Sequence, residues 1–170
     1  MHAVVEVASA ARGSRRIPAA EFYTGVKRNA LAADELIAAV LIPTAAGQQQ
    51  FCKIGTRNAM VIAVTAFAVA LDPGRRSVGT GIGSAAPTPR RATAAEDFLA
   101  GELTGAGSWE SRGPLPESLT REFGDRVAAA ADPIDDVRGS AAYRRHALSV
   151  MARRAATWAW DQYQHDRKAA

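Results

Sequence analysis

FCKIGTRNAMVIAVTAFAVALDPGRRSVGTGIG, residues 51–83, is the stretch that decides the fold. An aromatic, a thiol, a lysine and an isoleucine alternate before the chain breaks at Gly55, reaches Arg57 and enters an apolar run. That reads as a strand, a sharp turn and a second strand. On an extended chain Phe51 and Lys53 project from one face, Cys52 and Ile54 from the other. One face therefore offers a flat apolar ring beside a cation, which suits an anionic, planar ligand, and Gly55 lets the backbone come close to whatever lies beyond. The same residues also read as a half-exposed strand with a snorkelling lysine and an arginine at a turn. In MVIAVTAFAVAL, residues 60–71, periodicity does not separate a buried strand from a buried helix. The next residues do: Asp72, Pro73 and Gly74 are turn chemistry, and residues 77–83 read as a returning strand. On that hairpin Thr65, Phe67, Val69 and Leu71 take one face and Ala66, Ala68 and Ala70 the other, where an alanine surface lets a helix approach closely. The expectation is an α+β fold, a three- to four-stranded antiparallel sheet followed by three helices packed on one side.

The flanking sequence supplies the remaining elements. Residues 2–9, HAVVEVAS, alternate like a short strand that needs a neighbour. Residues 12–16 read as a basic turn, and Ile17 before Pro18 starts an extended piece. DELIAAVLIP, residues 34–43, reads as a strand closed by proline, and residues 45–50 as a polar link. Thr93 and Glu96 have the spacing of a capping box, opening a helix that stops near Gly101. A loop anchored by Trp109 comes next. Leu119, Phe123, Val127, Ala130 and Ala131 mark a second helix, and a third starts near Ser140 with the stripe Tyr143, Ala147, Val150, Met151, Ala155, Trp158 and Ala159. Arg144, Arg145, Arg153 and Arg154 fall on its other faces, either solvated or facing a partner's carboxylates, and His165 falls in a polar tail.

Composition narrows the function. The 170 residues carry 21 Lys and Arg against 17 Asp and Glu, a mild excess of +4. The arginines come in scattered pairs rather than in a stripe, which is a poor footprint for nucleic acid and suits subunit interfaces. A single cysteine excludes an internal disulfide and a multi-cysteine metal site, pointing to a reducing, cytoplasmic setting. No run reaches membrane-spanning length and no export signal is visible. His2, His146 and His165 are isolated, and no serine, histidine and acid share a motif spacing. Cys52 points away from Lys53 on an ideal strand, against an activated thiolate. The glycine-rich residues 79–89 lack the lysine and serine of a phosphate loop and read as a strand end running into a proline-rich link. No self-contained catalytic site is visible.

Five blocks in one order then carry a resemblance: RRIPAAEFYTG (15–25), DELIAAVLIP (34–43), FCKIGTRNAMVIAV (51–64), GIGSAAPTPRRATAAEDFLAG (81–101) and DDVRGSAAYRRHAL (135–148). Together they resemble the C-terminal part of the FAD-binding, medium-sized subunit of molybdenum hydroxylases, the xanthine dehydrogenase and carbon monoxide dehydrogenase family. In such oxidoreductases electrons pass from a molybdopterin centre through two iron–sulfur clusters to FAD and on to an acceptor. The resemblance implies that residues 1–30 are the last strand and linker of an FAD-binding domain whose pyrophosphate-cradling loops should precede residue 1. Residues 31–170 would then be the α+β domain closing over the flavin. It places Lys53, Gly55, Asp72 and Pro73 by the isoalloxazine, with Phe51 at its edge and Arg57 nearby. Val61 stands where many family members carry an acid. The implied partners are the missing FAD-binding domain, an iron–sulfur small subunit and a molybdopterin large subunit, with no nucleic acid and no membrane. FAD belongs to the full subunit and should bind this chain weakly or not at all. A second reading keeps the shape as a free-standing scaffold that has lost flavin. Substrate and electron acceptor are not written in this stretch of chain.

Overall fold

The computed structural model describes residues 3–44, 47–57 and 60–166. Its strands are β1 (Val4–Ser9), β2 (Gly13–Pro18), β3 (Tyr23–Gly25), β4 (Arg28–Asn29), β5 (Leu36–Leu41), β6 (Gln49–Ile54), β7 (Thr65–Asp72) and β8 (Ser77–Gly83). Its helices are α1 (Ala19–Phe22), α2 (Thr93–Gly105), α3 (Ser108–Ser111), α4 (Glu117–Ala129) and α5 (Ala141–His165). Among the described residues the strands form three antiparallel sheets, ordered β2-β1-β5, β3-β4 and β6-β7-β8.

The third sheet, backed by α2, α4 and α5, is the expected α+β unit. Every second residue of β7 is buried, Thr65, Phe67, Val69 and Leu71, and β8 adds Val78 and Ile82. Leu99 and Leu103 of α2, Phe123 and Val127 of α4, and Leu148 and Trp160 of α5 close over them. Removing these side chains from water stabilises the unit by about 1.5–3 kcal/mol each. Phe67 meets Phe123 edge to face at 6.3 Å. Trp109, the anchor expected between helices, packs on Trp160 and Tyr163, and the Tyr163 hydroxyl donates to its carbonyl at 2.7 Å.

Several sequence expectations change here. The helices pack on the large-residue face of the β6-β7-β8 sheet, because that face has apolar area to bury. The alanine face, where a helix is expected from the sequence, stays open. The strand expected within residues 34–43 is β5, which pairs with β1 rather than joining the hairpin. It therefore lies with the N-terminal strands. β2 replaces most of the basic turn at 12–16. The second strand of the opening stretch starts at Thr65, leaving residues 60–64 as loop. α2 runs through Gly101 to Gly105. Its N-cap is Ala92, whose methyl side chain has nothing to cap with, and Glu96 bonds Thr80 and Arg91 instead of closing the expected box. The buried stripe of α5 keeps Ala147, Met151, Ala155 and Ala159 but takes Trp160 and Tyr163 in place of Trp158, and Tyr143 is exposed. α5 also extends through His165, so the expected polar tail is helix to that point. His2, Ala45 and Ala46 lie outside the described residues.

Arg144 overturns its expected place most fully. It is buried, and its guanidinium donates to the carbonyls of Val64 at 2.7 Å and Ser84 at 2.6 Å and to Asp136 Oδ1 at 2.5 Å. One side chain thus ties α5 to the start of β7, the end of β8 and the turn before α5. The N-terminal sheet has its own small core of Val5, Val7, Ile17 and Phe22. A buried carboxylate, Glu35, fastens it. Arg15 donates to both its oxygens at 2.7 and 2.8 Å, and the Ala32 amide adds a bond at 2.8 Å.

Candidate functional site

Alternation that sends large side chains inward sends small ones outward, and the registers stack them. Ala70 of β7 lies between Gln49 and Gly79, Ala68 between Phe51 and Gly81, and Ala66 between Lys53 and Gly83. Between residues 66 and 70 of β7 and residues 79 and 83 of β8 this face thus carries nothing larger than a methyl group, and Asp72 and Ser77 bound it at the turn end. A Cβ built on Gly81 or Gly83 meets only the methyl of Ala68 or Ala66, at 3.8 and 3.6 Å, which confirms that these positions share one face. On the third strand Phe51 is 66% exposed and Lys53 also projects outward. The result is a flat apolar floor with a ring and a cation along one side.

Phe51, Gln49 and Arg91 wall a groove of about 380 Å³ over Ala68, Ala70, Gly79 and Gly81. Through Ala70, Gly79 and Arg91 it adjoins a cleft of about 550 Å³ that Asp72, Arg75 and Asp97 also line. Arg91 is set by a bonded cluster that sequence reasoning missed. Glu96, buried at the start of α2, accepts from the Thr80 amide at 2.8 Å and the Thr80 hydroxyl at 2.7 Å. It also accepts from Arg91 Nε at 3.0 Å, with Arg91 Nη2 on its other oxygen. Burial opposes its charge, yet Arg91 and Thr80 hold its carboxyl below the usual range. The signal was present as a threonine inside a glycine strand and an arginine five residues before a glutamate; the capping-box spacing masked it.

The expected site residues divide between the two ends of the sheet. Lys53 Nζ donates to the Val61 carbonyl at 3.3 Å, which leaves further donors on the same ammonium. Gly55 is required by its own loop: a Cβ there would lie 2.2 Å from Val61 Cγ1, so the close approach the sequence suggested is made by Val61. Arg57 Nη2 donates to the Met60 carbonyl at 2.9 Å within that loop. Asp72 and Pro73 lie at the far end. Lys53 pairs with Ala66, six residues before Asp72, a separation of about 20 Å along an extended strand. There Asp72 Oδ1 accepts from the Arg75 amide at 3.1 Å and the Pro73 carbonyl from the Arg76 amide at 3.2 Å, so both build the hairpin turn. Phe51 lies between the two ends and touches the groove.

Other chemistry is sparse. Cys52 faces the core, and burial pushes its thiol up against a partial offset from Arg154. Among the described residues no three His, Cys, Asp or Glu side chains gather as a metal site, and no helix is long and apolar enough to cross a membrane. Gly79, Gly81 and Gly83 are ladder residues of β8, so this stretch is not a phosphate loop. A flavin ring fits what is present: a floor of alanine methyls and glycines, an aromatic edge and a cation. A pyrophosphate would have to find its donors elsewhere.

The fold and this face define a class of protein: an α+β domain that backs a three-stranded sheet with helices and leaves the opposite sheet face open to a partner or a planar group. The family described as CO dehydrogenase flavoprotein C-terminal domain matches residues 50–159, and the chain belongs to it. Quinoline 2-oxidoreductase from Pseudomonas putida 86 superposes with a TM-score of 0.80 at 23% identity, over 96% of this chain and 54% of that one, a likeness of fold. The Cu,Mo-CO dehydrogenase, in its cyanide-inactivated form, gives 0.76 at 25% identity over 94% and 53%. The Hydrogenophaga pseudoflava CO dehydrogenase lacking the Mo-pyranopterin moiety gives 0.73 at 22% identity over 94% and 53%. This chain therefore spans about half the length of the solved chains it matches. A search of the curated proteins finds no match. The resemblance drawn from the five sequence blocks holds: this is a domain of the flavoprotein subunit type found in molybdenum hydroxylases.

Proposed function

We propose that the open face of the β6-β7-β8 sheet shields the isoalloxazine of FAD in the flavin subunit of a molybdenum hydroxylase. The observation that carries this reading is the floor of Ala66, Ala68, Ala70, Gly81 and Gly83 edged by exposed Phe51 and Lys53. When bound, FAD supplies two-electron redox chemistry. Phe51 packs at the edge of the ring and excludes water from that side. Lys53 sets a positive charge toward the pole where reduced flavin accumulates negative charge; at an effective dielectric near 20 a pair about 4 Å apart is worth roughly 4 kcal/mol before desolvation. Arg57 adds positive charge in the same loop, while Asp72 and Pro73 hold the far turn. The pyrophosphate is held by an FAD-binding portion of the subunit to which β1 belongs. Iron–sulfur and molybdopterin subunits dock on the assembly, in a cytoplasmic setting that suits a lone free cysteine.

Two measurements test this. Titration of FAD against the purified chain is expected to show no saturable binding at micromolar concentrations, since the glycine-rich residues 79–83 are strand and not a phosphate loop. In a flavin-loaded full subunit, Lys53→Met is expected to lower the flavin midpoint potential by about 30 mV or more, equivalent to about 1.4 kcal/mol for a two-electron couple. Tight binding by the chain alone, or an unmoved potential, contradicts the reading. A full subunit that never takes up flavin leaves the second reading, a scaffold of the same shape.

A further inference from the structure

The floor has a further strip beyond β8. Ile82 and Arg90 exchange backbone bonds at 2.8 and 3.2 Å, and the Ala92 amide donates to the Thr80 hydroxyl at 2.8 Å, so residues 90–92 run antiparallel beside β8. Arg91 then falls opposite Gly81. Ala92 is buried, and Arg90 donates to the Ala130 carbonyl at the end of α4 at 2.9 Å, on the helix side; the floor face belongs to the residue between them. Arg91 accordingly lines the groove over Ala68 and Gly81. One row therefore runs Phe51, Ala68, Gly81, Arg91. Its ends are an aromatic ring and a guanidinium three strand spacings apart, roughly 14 Å between backbones, with a methyl group and a hydrogen between them.

The guanidinium is held rather than loose. Nε and Nη2 are both committed to Glu96, a carboxylate only 3% exposed that Thr80 fixes through two further bonds. Nη1 keeps two of the five guanidinium donors for another acceptor. Against the pull of burial, Arg91 and Thr80 hold the Glu96 carboxyl below its usual range, so both members of the pair are charged at neutral pH. Replacing either one alone changes the charge beside the floor by one unit, in opposite directions. Lys53, in the next row with Ala66 and Gly83, brings a charge. The Arg91–Glu96 pair brings donors with little net charge.

We propose that Arg91 contacts the flavin, its guanidinium bonding a carbonyl oxygen at the ring edge across from Phe51, and that Glu96 is its positioning residue. This rests on the reading of the sheet face as a flavin floor.

Midpoint potentials of the flavin-loaded full subunit, measured at pH 8 so that Glu96 stays ionised, test this. Arg91→Met leaves the Glu96 charge unopposed and is expected to lower the potential, shifting the reduction equilibrium at least threefold, about 14 mV for a two-electron couple. Glu96→Gln keeps an oxygen for Thr80 and Arg91 but drops the charge, so the potential should rise by a similar factor. A pair that only fastened residues 90–92 to α2 would lower the melting temperature in both variants without these opposite shifts. Potentials that stay put, or that move in the same direction, overturn the proposal. If Arg91→Met takes up no flavin, Glu96→Gln decides alone: a rise supports the proposal and any other result overturns it. Lys53→Met is measured alongside. A potential moved by Lys53→Met but by neither pair variant sinks this inference and leaves the flavin floor standing, whereas three unmoved potentials remove both.

Discussion

At the scale of single residues, Arg144 shows how one side chain organises a site it does not touch. Its guanidinium bonds the Val64 carbonyl, and the Val64 amide in turn donates to Ile54 at 2.7 Å, closing the loop that starts at Gly55 and holds the Val61 acceptor of Lys53. Replacing it with methionine orphans the Val64 and Ser84 carbonyls and leaves Asp136 with Arg138 alone. Unsatisfied buried groups cost about 1–3 kcal/mol each, so Arg144→Met should lower unfolding free energy in urea by about 3 kcal/mol. Arg144→Lys keeps the charge without the planar fork and should recover only part of the loss. No local pattern warns of this: an arginine in a run of arginine pairs on a helix reads as surface, and only the folded chain brings two carbonyls, from positions 64 and 84, to its end. Glu96 is hidden in a related way, since a capping-box spacing says nothing about a threonine from β8 waiting across the gap.

At the scale of elements, β7 divides the molecule into a stabilising face and a face left for a partner. Phe67 is fully buried against Phe123, whereas its neighbour Ala68 faces the open floor. Phe67→Ala should therefore cost about 3–5 kcal/mol, and Ala68→Ser should stay within about 0.5 kcal/mol of the parent. Thermal unfolding of the two variants side by side checks the alternation, and equal effects would mean that the floor is covered in solution. The hairpin and its two faces were legible because a period of two with a DPG turn has few other solutions. Which face the helices cover was not, since an alanine surface admits a close helix as readily as a flat ligand. The large side chains decided it by having more apolar area to remove from water.

At the scale of the whole molecule, two cores of unequal size share one chain, and the smaller is fastened by a carboxylate that acid should release. Arg15, then the Ala32 amide, hold the Glu35 carboxyl down at about 2. A carboxylate depressed in the folded state contributes stability that is complete above its unfolded pKa and drains away as pH falls toward the folded value. The β2-β1-β5 sheet should thus loosen between about pH 4.5 and pH 2, and Glu35→Gln should reduce that pH dependence, leaving the share of Asp34, whose carboxyl Ser9 and Arg12 also hold down; hydrogen exchange of residues 4–41 as a function of pH in parent and variant is the measurement. By itself the sequence determined the class of fold, the hairpin, the helices within a few residues, and through five motif blocks the family, because these depend on local periodicity, turn chemistry and order along the chain. Only the tertiary structure decided that β5 joins β1, that Arg144 is buried, that the alanine and glycine face is open, and that Lys53 and Asp72 lie at opposite ends of the sheet. Each of these depends on register and on partners distant in sequence, which no local pattern encodes.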